Sequence, residues 1–552
     1  MTTRNPYEMD LDKNPANYQP LSPLTFLERA AFVYPKTTAI IHGDLRIPYD
    51  EFYARCRRLA SALSKRGIGL GDTVAVIAPN VPAMLDAHYG VMMTGAVLNA
   101  INYRLSAQEI AFILDHGEAK VLMVDREFGA LAKEALKLCK AKPFLIGIDD
   151  HEFKGGELIG EIEYEAFLKG GDPNFAWELP KDEWQAITLN YTSGTTGNPK
   201  GALMAQRTLL GNLSGFICSH DFYPKTGDLF WSPADWAWTG GLFDALLPTW
   251  HYGMPILGYR GRFDPEKAFW LIEKYGVRNA FLFPTALKMM MKAVPEPKAR
   301  YDVSLRTIMS GGEAVGETVF RWAQEQLGVS INEIFGQTEM NYVVGGCAAA
   351  YPAKPGAMGR PYPGHRVAVL DDAGNVLPPG EVGEVCVQRS CNSEPDPVFL
   401  LEYWKNPQAT AEKYLGEGMS AWGRTGDLAK MDEDGYLWYQ GRADDMFKSA
   451  GYRIGPAEIE NCLVKHPAVA NAAVIGAPDE MRGTFVKAFI VLQPGQTPSA
   501  ALEAELQAHV RQYLAPYEYP KAIEFIDALP MTTTGKVQRR VLRLREEEQR
   551  KT

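Results

Sequence analysis

The run Tyr191-Thr192-Ser193-Gly194-Thr195-Thr196-Gly197-Asn198-Pro199-Lys200-Gly201 carries the residue types of an anion cradle. Its three glycines let the backbone curl without Cβ clashes, so that successive N–H groups can point into one concavity. Four Ser/Thr hydroxyls and one lysine add donors. The pattern differs from the common NTPase loop, which needs Gly-Lys followed by Ser or Thr, whereas here Lys200 precedes Gly201. A kinase-like or GTPase-like reading is therefore weak, and a polar surface loop is the bland alternative.

Such a loop needs elements to hold it. Residues 51–66 have the period of an amphipathic helix, 73–78 read as a buried strand and 83–97 as a helix. A capping box at Ser106-Ala107-Gln108-Glu109 opens a helix over 110–116, before a strand over 120–124. After a charged, Gly-rich insert at 149–171, a strand over 187–191 is expected to run into the cradle, with a helix over 207–219 behind it. Strands over 279–284, 305–310 and 331–335 alternate with helices over 265–275 and 317–327. Alternation of this kind predicts an α/β fold, with parallel-rich sheets flanked by helices.

Beyond residue 364 the period shortens to strands over 367–370 and 382–387, predicting a small β-barrel-like subdomain at about 355–440. From 456 onward, two helices (456–465 and 501–514) and three strands (472–475, 486–492 and 522–526) predict a compact α+β domain. The tail 539–552 reads as a solvated helix end. The expected division is thus a large domain over 1–443 and a small mobile domain over 444–552.

A chain of 552 residues with 46% hydrophobic content can build several cores, and a net charge of -10 disfavours a general nucleic-acid binder. Seven scattered cysteines lack metal-ligand spacing and read as free thiols of a reducing compartment. Neither a signal peptide nor a bilayer-length apolar run is visible, so a cytoplasmic location is expected.

Five stretches occur in one order: 191–201, Asn332 to Glu339, Gly423-Arg424-Thr425-Gly426-Asp427, Gly441-Arg442-Ala443-Asp444-Asp445, and Pro530 to Lys536. Together they resemble the AMP-forming acyl-CoA synthetases of the adenylate-forming superfamily, from about residue 24 to the end. The resemblance implies that ATP first activates a carboxylic acid as an acyl-adenylate, and that coenzyme A then takes the acyl group. It implies that Thr192, Ser193, Gly194, Thr195, Thr196, Gly197 and Lys200 hold the β- and γ-phosphates, and that Glu339 ligates Mg2+ beside Gln337 and Thr338. Asp427 would bind the ribose hydroxyls with Arg442 nearby, and Gly312-Glu313 would lie along the adenine edge. Lys536 would reach the α-phosphate from the small domain, which rotates about a hinge at Asp444. Gly451 would then line the pantetheine tunnel and Arg453 a phosphate. Lysine acetylation at Lys536 would remove its charge, and the resemblance allows a homodimer.

For the acid, the resemblance points to Trp236, Trp238, Thr239, Gly240, Gly311 and Gly336. Acetate-selective relatives carry tryptophan where Gly336 stands and valine where Gly311 stands. Their absence predicts an acid larger than acetate: medium-chain, branched or aromatic. The histidine of many aromatic-acid members is missing from Asp235-Trp236-Ala237-Trp238, which argues against a coumarate-type substrate. Two alternatives stand beside the ligase: a stand-alone adenylating enzyme that loads a carrier protein, and a non-catalytic nucleotide-binding protein.

Overall fold

Residues 12–192, 199–243, 245–449, 452–479, 483–531 and 537–551 are described by a computed structural model of the chain. Two large sheets dominate the first three quarters. One has nine strands, in the order Arg360–Pro361, Asn341–Gly345, Ile331–Gln337, Thr307–Gly311, Asn279–Phe281, Phe230–Trp231, Ile256–Gly258, Thr38–His42 and Leu45–Pro48. The other has eight: Glu402–Tyr403, Lys200–Ala205, Ala186–Thr192, Val97–Ala100, Thr73–Ile77, Ala119–Asp125, Phe144–Ile148 and Ile162–Glu163. Central neighbours are parallel in both, as the alternating pattern requires; antiparallel pairs close both edges of the nine-stranded sheet and one edge of the eight-stranded sheet, whose Phe144–Ile148/Ile162–Glu163 edge is parallel.

The largest core joins the two sheets. It contains Ala39 and Ile40 from one, Val74 and Val76 from the other, and the buried faces of the helices Tyr49–Lys65 and Pro82–Gly90. Pro82–Gly90 is buried on every side and along its whole length, Asp86 and His88 included, which explains why periodicity alone overran its end. Where one helix over 83–97 was expected, a 3₁₀ turn at Met92–Thr94 and Gly95, at φ +81°, turn the chain into the strand Val97–Ala100. The expected capping box is present: Ser106 Oγ accepts from Glu109 N, and Glu109 accepts from Ser106 N.

A five-stranded sheet around Val367–Leu370, Val382–Gln388 and Trp422–Met431 forms the β-subdomain. The separate C-terminal domain is built on an antiparallel pair, Val469–Asp479 and Gly483–Leu492, with Ala522–Phe525 added in parallel. Side chains alternate between its two faces. Ala472 and Val474 pack under the helices Pro456–Val464 and Ala500–Tyr513, while Ala473 and Ile475 pack with Leu529 and Leu542 on the other side. The helix Arg539–Lys551 is therefore more than a solvated tail. Its Leu542 is buried, and Arg539 pairs with Glu460 and Asp445.

Candidate active site

The expected strand-loop-helix around residue 191 is a β-hairpin instead. Ala186–Thr192 and Lys200–Ala205 pair antiparallel, with Thr192 opposite Lys200. Residues 193–198 between them, including Ser193, Gly194, Thr195, Thr196 and Gly197, lie outside the described residues. The short helices Thr208–Gly211 and Leu213–Ser219 come only after the returning strand. The strand Lys200–Ala205 is buried throughout after Lys200, so it carries no alternation, and Pro199 and Gly201 at its start read as loop.

A strap at 400–404 ties this hairpin to Glu339. The backbone N–H of Leu401 donates to Leu203 O and that of Trp404 to Gly201 O, both at 2.7 Å, while Leu400 N–H donates to Glu339 O at 2.8 Å. The Tyr403 hydroxyl donates to Glu339 Oε1 at 2.6 Å, and Lys200 Nζ stands 5.3 Å from the centre of the Tyr403 ring. Lys200, at the start of the returning strand, and the carboxylate of Glu339 thus flank the same tyrosine.

Gln337 and Asp427 are joined directly, Nε2 to Oδ2 at 2.8 Å. Lys413 Nζ donates to Gln337 Oε1 at 2.8 Å. Arg442 Nη1 donates to Asp427 Oδ2 at 3.2 Å and to Thr425 O at 3.0 Å, and its Nε donates to Asp444 Oδ1 at 3.2 Å. Burial by itself would raise the Glu339 carboxyl, but the Lys413 cation and the Tyr403 hydroxyl outweigh it and hold the group below the usual carboxylate range. Lys413 is pulled down by burial against the opposing pull of Glu339 and Asp427. The Tyr403 phenol is raised by burial and by the neighbouring Glu339 charge. Three carboxylates, Glu339, Asp427 and Asp444, and two cations, Lys413 and Arg442, therefore sit in one partly buried network.

Gly312 and Glu313 follow the strand Thr307–Gly311; Gly312 has φ +92°, and Glu313 Oε2 accepts from Thr285 Oγ1 at 3.1 Å. Thr338 lies between Gln337 and Glu339 in the turn that follows Ile331–Gln337. Asp444 is exposed at the junction with the C-terminal domain, and its neighbour Asp445 receives Arg539 and Arg543 from the last helix. Arg453 lies on the strand Tyr452–Ile454, with its side chain outside the description. Gly451 and Lys536 also lie outside the described residues.

The residues of the expected acid pocket differ in burial and packing. Trp236 is a core residue, 1% exposed, whose backbone N–H donates to Asn80 Oδ1; Trp238, packed 6.1 Å from Phe281, is the partly exposed one. The space beside the two glycines is already filled. A Cβ on Gly336 would lie 1.9 Å from Asn341 O and 2.4 Å from Tyr342 Cα, and one on Gly311 would lie 2.7 Å from Ile334 Cγ1. Gly336 is thus required by the close approach of the strand Asn341–Gly345, at a bulge between Phe335 and Gly336, and it does not face a void. Thr239 is buried, and a Cβ on Gly240 would rest 3.0 Å from the Trp238 ring. The hydroxyls of Thr239 and Ser310 are buried without a partner among the described residues.

Tyr403 and Lys413 were not singled out in the sequence. A tyrosine within Val398-Phe399-Leu400-Leu401-Glu402-Tyr403 reads as core, and a lysine in a charged helix end reads as solvated. Only folding brings them onto Glu339.

Against known proteins, the family of AMP-binding enzymes matches residues 27–394, and the C-terminal domain of AMP-binding enzymes matches 458–536. An acetate–CoA ligase of Humulus lupulus is 35% identical over 98% of this chain and 97% of its own. A peroxisomal acetate/butyrate–CoA ligase of Arabidopsis thaliana is 34% identical over 98% and 97%. The crystal structure of an anthranilate CoA ligase in complex with anthranoyl-AMP superimposes with a TM-score of 0.86 at 27% identity, covering 98% of this chain and 100% of that one. The chain belongs to the AMP-binding enzyme family, among its AMP-forming acyl-CoA synthetases. It is an acid–thiol ligase that uses ATP and coenzyme A. Its seven cysteines are free thiols, and no helix among the described residues is long and apolar enough to cross a membrane.

Proposed function

We propose that the network of Gln337, Glu339, Lys413, Asp427 and Arg442 is the nucleotide seat of this ligase, with the hairpin turn after Thr192 gripping the β- and γ-phosphates. The observation that carries the reading is the Gln337–Asp427 hydrogen bond, which fixes a ribose-binding carboxylate beside the Glu339 wall. Asp427 accepts from the ribose hydroxyls, Arg442 steadies it, and Gly312-Glu313 lies along the adenine. Glu339, partly buried and kept ionised by Lys413 and Tyr403, suits a hard cation such as Mg2+, which when bound neutralises phosphate charge.

The acid's carboxylate attacks the α-phosphate, and Lys536 steadies the charge that builds up there. The small domain then turns about Asp444, withdrawing Lys536 and bringing Gly451 and Arg453 to the coenzyme A path. The division at 443/444 is supported by the ion pairs of Asp445 with Arg539 and Arg543, which make that residue part of the small domain. Lys536→Ala is expected to abolish acid-dependent pyrophosphate release while sparing thioester formation from supplied acyl-adenylate. Equal loss of both half-reactions would overturn the two-state reading. Acetylation of Lys536 is expected to act like the alanine variant, and mass spectrometry paired with adenylation rates tests it.

For the acid, the proposal is a carboxylate larger than acetate, with Trp238, Thr239 and Gly240 along its chain. Its support is that one relative is an acetate/butyrate ligase and one neighbour an anthranilate ligase. Gly336 and Gly311 do not carry it, since the space beside them is occupied. AMP formation with acids from acetate to octanoate, and with benzoate, tests it; acetate as the best substrate would refute it. A homodimer and a cytoplasmic location, the latter supported by the free thiols, complete the proposal. Light scattering and fractionation read them.

A further inference from the structure

Far along the nine-stranded sheet from Glu339, three side chains from separate stretches converge. His42 ends the strand Thr38–His42, and Asp150 and His151 follow the strand Phe144–Ile148 of the other sheet. His42 Nε2 lies 3.0 Å from both Asp150 oxygens, and His151 Nδ1 lies 3.3 Å from Asp150 Oδ1. The three ligand atoms fall within 4.8 Å of one another, forming a three-residue group of metal-ligating type among the described residues. The side chains of His42 and Asp150 are 2% and 4% exposed, whereas that of His151 is 55% exposed.

We propose that His42, Asp150 and His151 bind one divalent transition metal of the zinc class and thereby staple the segment at 149–152 to the seam between the two large sheets. Zinc takes imidazole nitrogen and carboxylate oxygen at about 2.0–2.2 Å in a tetrahedral shell, whose ligand–ligand edges are then about 3.3–3.5 Å. The spacings of 3.0 and 3.3 Å are close to such edges.

The surroundings support the ligands in the way metal sites require. His42 Nδ1 faces Gly258 O at 3.4 Å, which favours the tautomer with its lone pair on Nε2, toward Asp150. Two lone pairs 3.0 Å apart repel unless a proton or a metal ion lies between them. Arg260 Nη1 holds the second carboxylate oxygen, Asp150 Oδ2, at 2.5 Å. Charge points the same way. The Arg260 guanidinium is shared by three carboxylates, Asp125, Glu127 and Asp150, and a fourth, Glu152, stands beside His151. Arg126 and Asp149 neutralise each other. The excess negative charge at a partly buried seam favours a dication. The exposed side of His151 leaves a way in and a place for a water ligand.

The competing arrangement is a buried imidazolium–carboxylate pair with His151 idle on the surface. Untagged full-length protein, stripped with a chelator and free of nucleotide, is titrated with Co2+ as a spectroscopic probe and with Zn2+ in competition. One metal per chain is expected, with the intense visible bands of tetrahedral Co2+ and a rise in Tm on adding Zn2+. His151→Ala, a surface change, should weaken binding at least tenfold and abolish the Tm rise, and Asp150→Asn should do the same. His466→Ala, in the other domain, should leave both intact, and Mg2+-ATP-dependent adenylation should be unchanged in His151→Ala. No saturable binding by the parent protein, or binding that survives His151→Ala, would overturn the proposal in favour of the ion pair.

Discussion

Gln337 donates its side-chain amide to Asp427 at 2.8 Å, across the boundary between the nine-stranded sheet and the β-subdomain. Its oxygen faces Lys413 at 2.8 Å, so the amide can point only one way: a cation takes the oxygen and a carboxylate takes the NH2. Asp427 is thereby held in one orientation by the protein itself and, on the proposed reading, is aimed before any nucleotide binds. Preorganisation of this kind removes an ordering cost from binding.

Lys413→Met leaves Glu339 and Asp427 short of one cation inside the fold. Removing one partner of a buried charge network costs about 3–5 kcal/mol. Thermal or denaturant unfolding without nucleotide should show that loss, together with a raised KM for ATP. An unchanged midpoint would mean that Arg442 alone balances the site.

Tyr403→Phe deletes one hydroxyl and nothing else. A hydrogen bond to a charged group contributes about 1.5–3 kcal/mol, so kcat/KM for ATP in pyrophosphate exchange should fall about 10–100-fold. Thioester formation from supplied acyl-adenylate should be spared. Loss of both steps alike would place Tyr403 in general packing.

Gly336→Trp is the substitution that would imitate acetate-selective relatives. Here it should unfold the hairpin of Ile331–Gln337 and Asn341–Gly345, because even its Cβ would overlap Asn341 O. Gly336→Ala should already lower the midpoint of unfolding. A well-folded, acetate-selective Gly336→Trp protein would refute this reading of the glycine.

Glu333, on the same strand, is pushed up to about 8 by burial, with the Val315 backbone and Lys288 only partly opposing. Its folded pKa is raised, so the native state keeps a proton that the unfolded chain releases near pH 4.5. Stability from this group is complete below that pH, declines as pH rises toward 8 and is flat above. The slope is at most about 1.4 kcal/mol per pH unit. Glu333→Gln should lack this decline, so its advantage over the parent should widen from pH 5 to 8 in denaturant titrations. Parallel profiles would contradict the assignment.

Much of the scaffold was legible because its signals are local. The capping box at Ser106, the helix Pro265–Tyr275 with Asp264 as N-cap and αL Gly276 behind it, and the two-faced strands of the C-terminal domain all follow from short-range spacing. The hairpin Ala186–Thr192/Lys200–Ala205 was less legible, since its partner strand begins within the Gly/Pro-rich run itself. Periodicity likewise could not end Pro82–Gly90, which is buried on every side.

The sequence by itself determined the reaction class and most of the order of the elements, because these depend on motifs and on local periodicity. The tertiary structure alone decided that Tyr403 and Lys413 belong to Glu339, that Gly336 serves a backbone approach, and that His42 meets Asp150 and His151 across a seam between sheets. Those facts depend on which distant segments touch. Contacts between positions 64, 76 or 108 residues apart are set by sheet order and packing, which leave no period in the chain.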